Sequence, residues 1–206
     1  LGILLMNIEA FSGPLDLAFT GIDARWHGLD YVADAFVYIF VQGKFFTLFS
    51  LLFGAGFAVM AQRAQAAGRE FTPFYLRRSL GLALIGLCHA LLVWSGDILV
   101  LYALVSLPLL ACREAPRSWL PWMGIVVYLA GVSMMLLIGA MVTLSPAQDL
   151  QKMVVDAQQA IDQQRLVYGQ GNWMQGNVQR LHEFGSSLGA LVITGPEVLG
   201  MFLIGS

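Results

Sequence analysis

Asp34, Lys44, His89 and Glu197 are ionisable residues inside otherwise apolar stretches. In hydrocarbon such a group costs about 2.5–3.5 kcal/mol on insertion scales unless it meets a partner or a wet cavity, so chemistry is expected at these positions first. His89, in GLCHALLVWSGD, has a side chain that can both donate and accept a proton, as a general base requires. Asp97 follows eight residues later, a little over two helical turns on and near the same face, where a carboxylate can orient the imidazole. The competing reading of His89 is an interhelical hydrogen bond. Lys44, in VQGKFFTLFSLLFGAGF, is expected near the middle of a span, too deep to snorkel. It would face the bundle interior beside the small residues Gly43, Thr47, Ser50, Gly54 and Ala58, with a structural ion pair as the alternative. Glu197 follows Gly195-Pro196, a pair expected to break the last span as discontinuous transporter helices do.

Two further clusters carry charge. The segment GIDARWHGLDYVADAF gathers Asp23, Arg25, Trp26, His27, Asp30 and Asp34, making His27 a second candidate base with Asp34 as its orienting carboxylate. An interfacial loop with a tryptophan explains the same residues without function. Arg63, Arg69, Arg77 and Arg78, opposed by Glu70 alone, suit the phosphates of a cytosolic ligand, although the excess of basic residues in cytoplasmic loops also accounts for them. No HExxH, P-loop or dinucleotide fingerprint occurs. Cys88 and Cys112 lack metal-ligand or disulfide spacing and read as small hydrophobes, so no metal is expected.

The elements that must position these groups are membrane helices. Of 206 residues, 58% are hydrophobic and 12% charged, and mean hydropathy is +0.72. A soluble domain carries about twice that charge. A net charge of −2 gives no reason to expect a nucleic-acid partner. A span needs about 20 apolar residues, and the sequence predicts an all-α polytopic bundle of about six: 1–11 (partial), 31–61, 79–95, 98–111, 119–144 and 186–206. Residues 79–111 are predicted to form a tight hairpin of two short spans broken at Ser95-Gly96-Asp97, with a re-entrant pair as the lesser option. Loop charge places 62–78 and 112–118 in the cytoplasm and 12–30 and 145–185 outside. The stretch 147–168 reads as an extramembrane helix, followed by a glycine-broken loop. The whole is expected to be one transmembrane domain, severed at both ends.

The strings LGILLMNIEAF, KFFTLFSLLFGAGF, YLRRSLGLALIGLCHALLVWSGDILVLYALVSL and LGMFLIGS together resemble the YeiB-like family of bacterial inner-membrane proteins, a domain of unknown function. The resemblance covers nearly the whole chain in the same order; its most specific blocks are Lys44 to Gly56 and His89 to Leu99. It implies an inner-membrane, multi-pass location. More distantly the family is similar to transmembrane acyltransferases, including the lysosomal heparan-α-glucosaminide N-acetyltransferase, in which an outer-face histidine precedes a W-x-G-L…A-D run. Trp26, Gly28, Leu29, Ala33 and Asp34 fit that run with a two-residue insertion, Asp23 stands where the histidine would be, and His27 is displaced beyond the tryptophan. The resemblance implies transfer of an acyl group from cytosolic acyl-coenzyme A to an extracytoplasmic small-molecule or cell-envelope acceptor. In that scheme His89 or His27 acts as base, Asp34 or Asp97 orients it, Lys44 lines the path, and Arg77 and Arg78 hold phosphates. The alternatives are a proton-coupled transporter using Lys44, His89, Asp34 and Glu197, and a membrane protein without catalysis.

Overall fold

The computed structural model describes residues 2–14, 21–22 and 26–206, apart from the side chains of Met6, Glu9 and Ser12. It is all-helical, with no strand among the described residues. The helices are α1 (Gly2–Ser12), α2 (Leu29–Phe40), α3 (Lys44–Ala66), α4 (Phe71–Leu92), α5 (Leu99–Ala111), α6 (Leu120–Thr143), α7 (Ala147–Gln170) and α8 (Trp173–Gly205). Four stretches are long and apolar enough to cross a membrane: Leu29–Ala66, α4, α6 and α8. Their outward faces are apolar, as lipid contact requires. On α6, Val126, Leu129, Leu136, Leu137 and Met141 are all exposed, and Trp119 and Trp122 mark one end, where interfacial tryptophans collect.

The expectation of about six crossings meets a length limit. At 1.5 Å per residue α5 spans about 20 Å, against a hydrocarbon core of about 30 Å, and α1 has only 11 residues. α8 is the opposite case. Its 33 residues reach about 50 Å, because the stretch from Trp173, expected to be loop, is helical and joins the apolar segment without interruption. Asn172 and Gln175 start it with reciprocal bonds: Asn172 N–H donates to Gln175 Oε1 (2.8 Å) and Gln175 N–H to Asn172 Oδ1 (3.0 Å), a capping pair that holds the helix end.

The chain divides into two compact units, Leu1–Leu48 with Leu144–Gln179, and Phe49–Thr143 with Arg180–Ser206. In the first, the span expected over 31–61 is broken. α2 ends at Phe40, Gly43 adopts φ +76°, and α3 starts afresh at Lys44. A left-handed φ is available to glycine at little cost and forbids helical continuation.

The second unit has an aromatic interior. Phe53 stacks on Phe202 (4.5 Å between centroids) and meets Tyr102 edge-on (5.4 Å), while Phe57 meets Phe71 and Tyr75 edge-on (5.2 and 4.9 Å). Each such pair contributes about 0.5–1.5 kcal/mol beyond area burial. Four hydroxyls within are paired across helices. Ser50 Oγ bonds Tyr102 Oη (2.6 Å), and Ser79 Oγ bonds Ser106 Oγ (2.8 Å).

Between lipid-exposed helices the hydrophobic drive is absent and close backbone approach substitutes for it. At the α6–α8 contact a Cβ on Gly200 would lie 2.7 Å from both Gly124 O and Tyr128 Cβ. Gly200→Ala is therefore expected to cost about 1–3 kcal/mol through overpacking. Gly139→Ala, on the same α6 but with nothing within 4 Å, should be neutral or stabilising by up to about 1 kcal/mol. Thermal melts of the two variants in detergent would check the contrast.

Candidate functional site

α4 and α5 form an antiparallel hairpin, since contacts pair rising numbers with falling ones: His89 with Asp97, Gly86 with Leu99 and Val100, Ser79 with Ser106. The end of α4 is tied off by His89 O, which accepts from Val93 N–H and Trp94 N–H, both at 2.9 Å. The start of α5 is capped by Asp97, whose Oδ2 accepts from Leu99 N–H (2.8 Å) and Val100 N–H (3.1 Å). Those are two of the four N–H groups a helix leaves unpaired at its start. Gly86 is required opposite this cap, because a Cβ there would lie 2.8 Å from Asp97 Oδ2 and from Val100 N.

The second oxygen of Asp97 reaches back to the histidine. Asp97 Oδ1 lies 3.0 Å from His89 Nδ1, with the Asp97 side chain 3% and the His89 side chain 39% exposed. A carboxylate only accepts, so Nδ1 is the donor and the neutral ring presents Nε2 as a lone pair. The Trp94 ring stands edge-on to the imidazole at 6.4 Å. The geometry is that of a general base: an accessible ring nitrogen, its partner nitrogen held by a buried acid, and the acid held by a helix terminus.

Two residues from α8 complete the neighbourhood. Ser95, buried in the turn, donates to Glu183 Oε2 at 2.5 Å, and Arg180 Nε–H donates to Leu91 O at 3.0 Å. Neither Arg180 nor Glu183 was singled out by the sequence. Their partners lie 89 and 88 residues away, and their segment has the polar character of a loop. The one local signal is the i,i+3 spacing of Arg180 and Glu183, which puts both on one helical face.

The other candidates are distributed differently. His27 is exposed and Asp34 half-buried on α2, and it is His89 that the structure pairs with a carboxylate. Asp23 and Arg25 lie outside the described residues. Lys44 is not mid-helix but the exposed first residue of α3, a consequence of the break at Gly43. Glu197 does not follow a helix break either: α8 runs through Pro196. Gly131 of α6 packs there, with a Cβ at that position 2.9 Å from Glu197 Cγ and 3.2 Å from Pro196 Cβ, so tight packing holds the helix where one backbone N–H is missing. Arg77 and Arg78 are consecutive on α4 and therefore about 100° apart. Arg77 is exposed, whereas the Arg78 guanidinium lies over the Phe53 ring at 4.6 Å.

An all-helical chain with four membrane-length apolar helices and a histidine–carboxylate couple at a hairpin turn is a membrane protein with a polar, base-bearing helix end. Its homologues are uncharacterised proteins. The chain is 37% identical over 189 residues to the uncharacterised protein YxaH of Bacillus subtilis (strain 168), covering 88% of this chain and 45% of that one. It is 36% identical over 220 residues to the uncharacterised protein YeiB of Escherichia coli (strain K12), covering 100% and 51%. It is also 36% identical over 110 residues to an uncharacterised 39.9 kDa protein in the amylase 3′ region of Bacillus acidopullulyticus, covering 53% and 30%. The chain spans about half the length of the first two relatives. No family model and no solved structure matches it.

Asp97 has two duties that substitution can separate. Asp97→Asn keeps an acceptor for the α5 amides, whereas Asp97→Ala leaves them bare. Melting in detergent is therefore expected to show Asp97→Ala less stable than Asp97→Asn by about 1 kcal/mol, the usual worth of a helix cap.

Proposed function

We propose that this chain belongs to the YeiB-like family and forms part of a bacterial inner-membrane acyltransferase whose general base is His89, positioned by Asp97. The observation that carries the reading is the couple itself: Nδ1 engaged at 3.0 Å by an acid 3% exposed, on a ring 39% exposed. The acceptor, a hydroxyl or amine of a small molecule or envelope component, gives its proton to Nε2 as its oxygen or nitrogen attacks the thioester carbonyl. The C–S bond then breaks, and the departing thiolate takes up the proton. The donor is acyl-coenzyme A from the cytosolic side.

The six-crossing arrangement belongs to the same proposal, with the 93–98 turn outside. Loop charge puts 12–30 and 145–185 on one side and 62–78 and 112–118 on the other, and the alternation of spans puts the turn with the first pair. Two sets of contacts support that division. The turn and its approach, at Ser95 and Leu91, bond Glu183 and Arg180, while Arg113 donates to Thr72.

A second reading, proton-coupled transport, draws on the break between α2 and α3 beside Lys44, since unwound mid-span backbone is where transporters bind. Proton-driven uptake lost in Lys44→Gln but retained in His89→Gln would favour it.

The test is release of free thiol from acetyl-coenzyme A by purified full-length protein with envelope extract as acceptor. His89→Gln is expected to lower turnover at least about 100-fold, the usual worth of a general base, with KM for the thioester unchanged. Turnover that survives His89→Gln overturns the assignment.

A further inference from the structure

Arg78 carries a guanidinium, a fork of donors with no acceptor, and its Nη1 is buried without a well-aligned hydrogen-bond acceptor. Its neighbours on the ring side are Phe53, 4.6 Å below the guanidinium carbon, and Tyr75 at 5.8 Å. Tyr75 is fully buried, and its hydroxyl, although close to Ser106 and Arg78, has no well-aligned hydrogen-bond partner. The nearby serines are committed to one another and to Ala103 O. No carboxylate pairs with Arg78 among the described residues. Arg78 Nη1 and the Tyr75 hydroxyl, one turn apart on α4, therefore lack a well-aligned acceptor, in an aromatic setting where each poorly made bond is costly. Aromatic faces favour a guanidinium but supply no lone pairs. What is missing is an oxyanion.

Place and chemistry narrow its class. Arg78 is the eighth residue of a helix that begins at Phe71, so it lies about 10 Å inside that end. It also follows Arg63, Arg69 and Arg77, a field that attracts anions. A guanidinium fork with a phenolic O–H beside it matches the several acceptor oxygens of a phosphate ester. Arg78 as a whole is half-buried. We infer that Arg78 and Tyr75 form a phosphate-ester site within the second unit, eleven residues and about 16 Å along α4 from His89. The phosphate comes either from a soluble phosphorylated ligand or from a lipid headgroup, both of which offer the same oxygens.

The inference does not require acyl transfer; that reading supplies only one of the probes. Binding is measured on full-length protein by thermal shift and native mass spectrometry, with coenzyme A, with phosphatidylglycerol in nanodiscs, and with pantetheine as the phosphate-free control. Coenzyme A or phosphatidylglycerol is expected to bind, and whichever does so identifies the source. Arg78→Gln and Tyr75→Phe should each weaken it, Arg78→Gln by at least about tenfold, while Arg165→Gln, exposed on α7, stays within about twofold. Tyr75→Phe keeps the ring and its packing, so it decides the matter if Arg78→Gln does not fold. Pantetheine binding as tightly as coenzyme A, no binding of either phosphate probe, or affinity unchanged in Tyr75→Phe and Arg78→Lys overturns the site. In His89→Gln, phosphate binding should persist whether or not thioester turnover does, which separates a failure of this site from a failure of the acyl-transfer reading.

Discussion

In hydrocarbon no water is available to satisfy a backbone N–H or C=O, so each has to be met from within the protein. The turn between α4 and α5 shows the same accounting in detail, because two helix ends expose their free groups side by side. The carbonyl of His89 absorbs the two amides that leave α4, and Asp97 absorbs two that begin α5. Arg180 takes up the Leu91 carbonyl, and Ser95 is tied to Glu183. The imidazole is oriented by the same carboxylate that caps the helix, so the base-bearing geometry is a by-product of closing the hairpin. A residue that solves a structural need has one oxygen left, and the histidine uses it.

The same constraint explains how the second unit is held. Its hydroxyls pair across helices, Ser50 with Tyr102 and Ser79 with Ser106, and its rings stack or meet edge-on around Phe53 and Tyr102. Glycines allow the helices to approach closely enough for those contacts: beyond Gly200, a Cβ on Gly54 would collide with Phe202 O. Against that background the Nη1 of Arg78 and the hydroxyl of Tyr75, which lack well-aligned partners, are exceptions, and an exception in a medium that penalises it invites a ligand.

The two homologous proteins that span most or all of this chain are uncharacterised, and about half of each lies beyond it. Function is therefore argued from the site. Of the residues that could carry chemistry, His89 and Asp97 alone form a histidine–acid couple among the described residues. The removal of the break at Glu197 takes away one support for transport, and the break found at Gly43 supplies another, at a different place.

The sequence by itself determined the helical class, since apolar length leaves helices as the structure compatible with a bilayer for this pattern. It also pointed to the hairpin at Ser95-Gly96-Asp97 and offered Asp97 as a partner for His89 by helical spacing; the turn beyond Leu92, and not a shared helical face, is what brings the two to 3.0 Å. Tertiary structure alone decided the rest. Glu183 and Arg180 reach the turn from nearly ninety residues away, a distance over which no periodicity carries information. Arg77 and Arg78 look equivalent in the chain, yet one is exposed and the other lies over Phe53, which depends on where α3 packs. Pro196 reads as a breaker, and Gly43 as one small residue in a stripe. A neighbouring glycine at 131 keeps the first inside a continuous helix, whereas the second has nothing within 4 Å and turns the chain. Local propensity is the same kind of signal in both cases, and packing settles which one prevails.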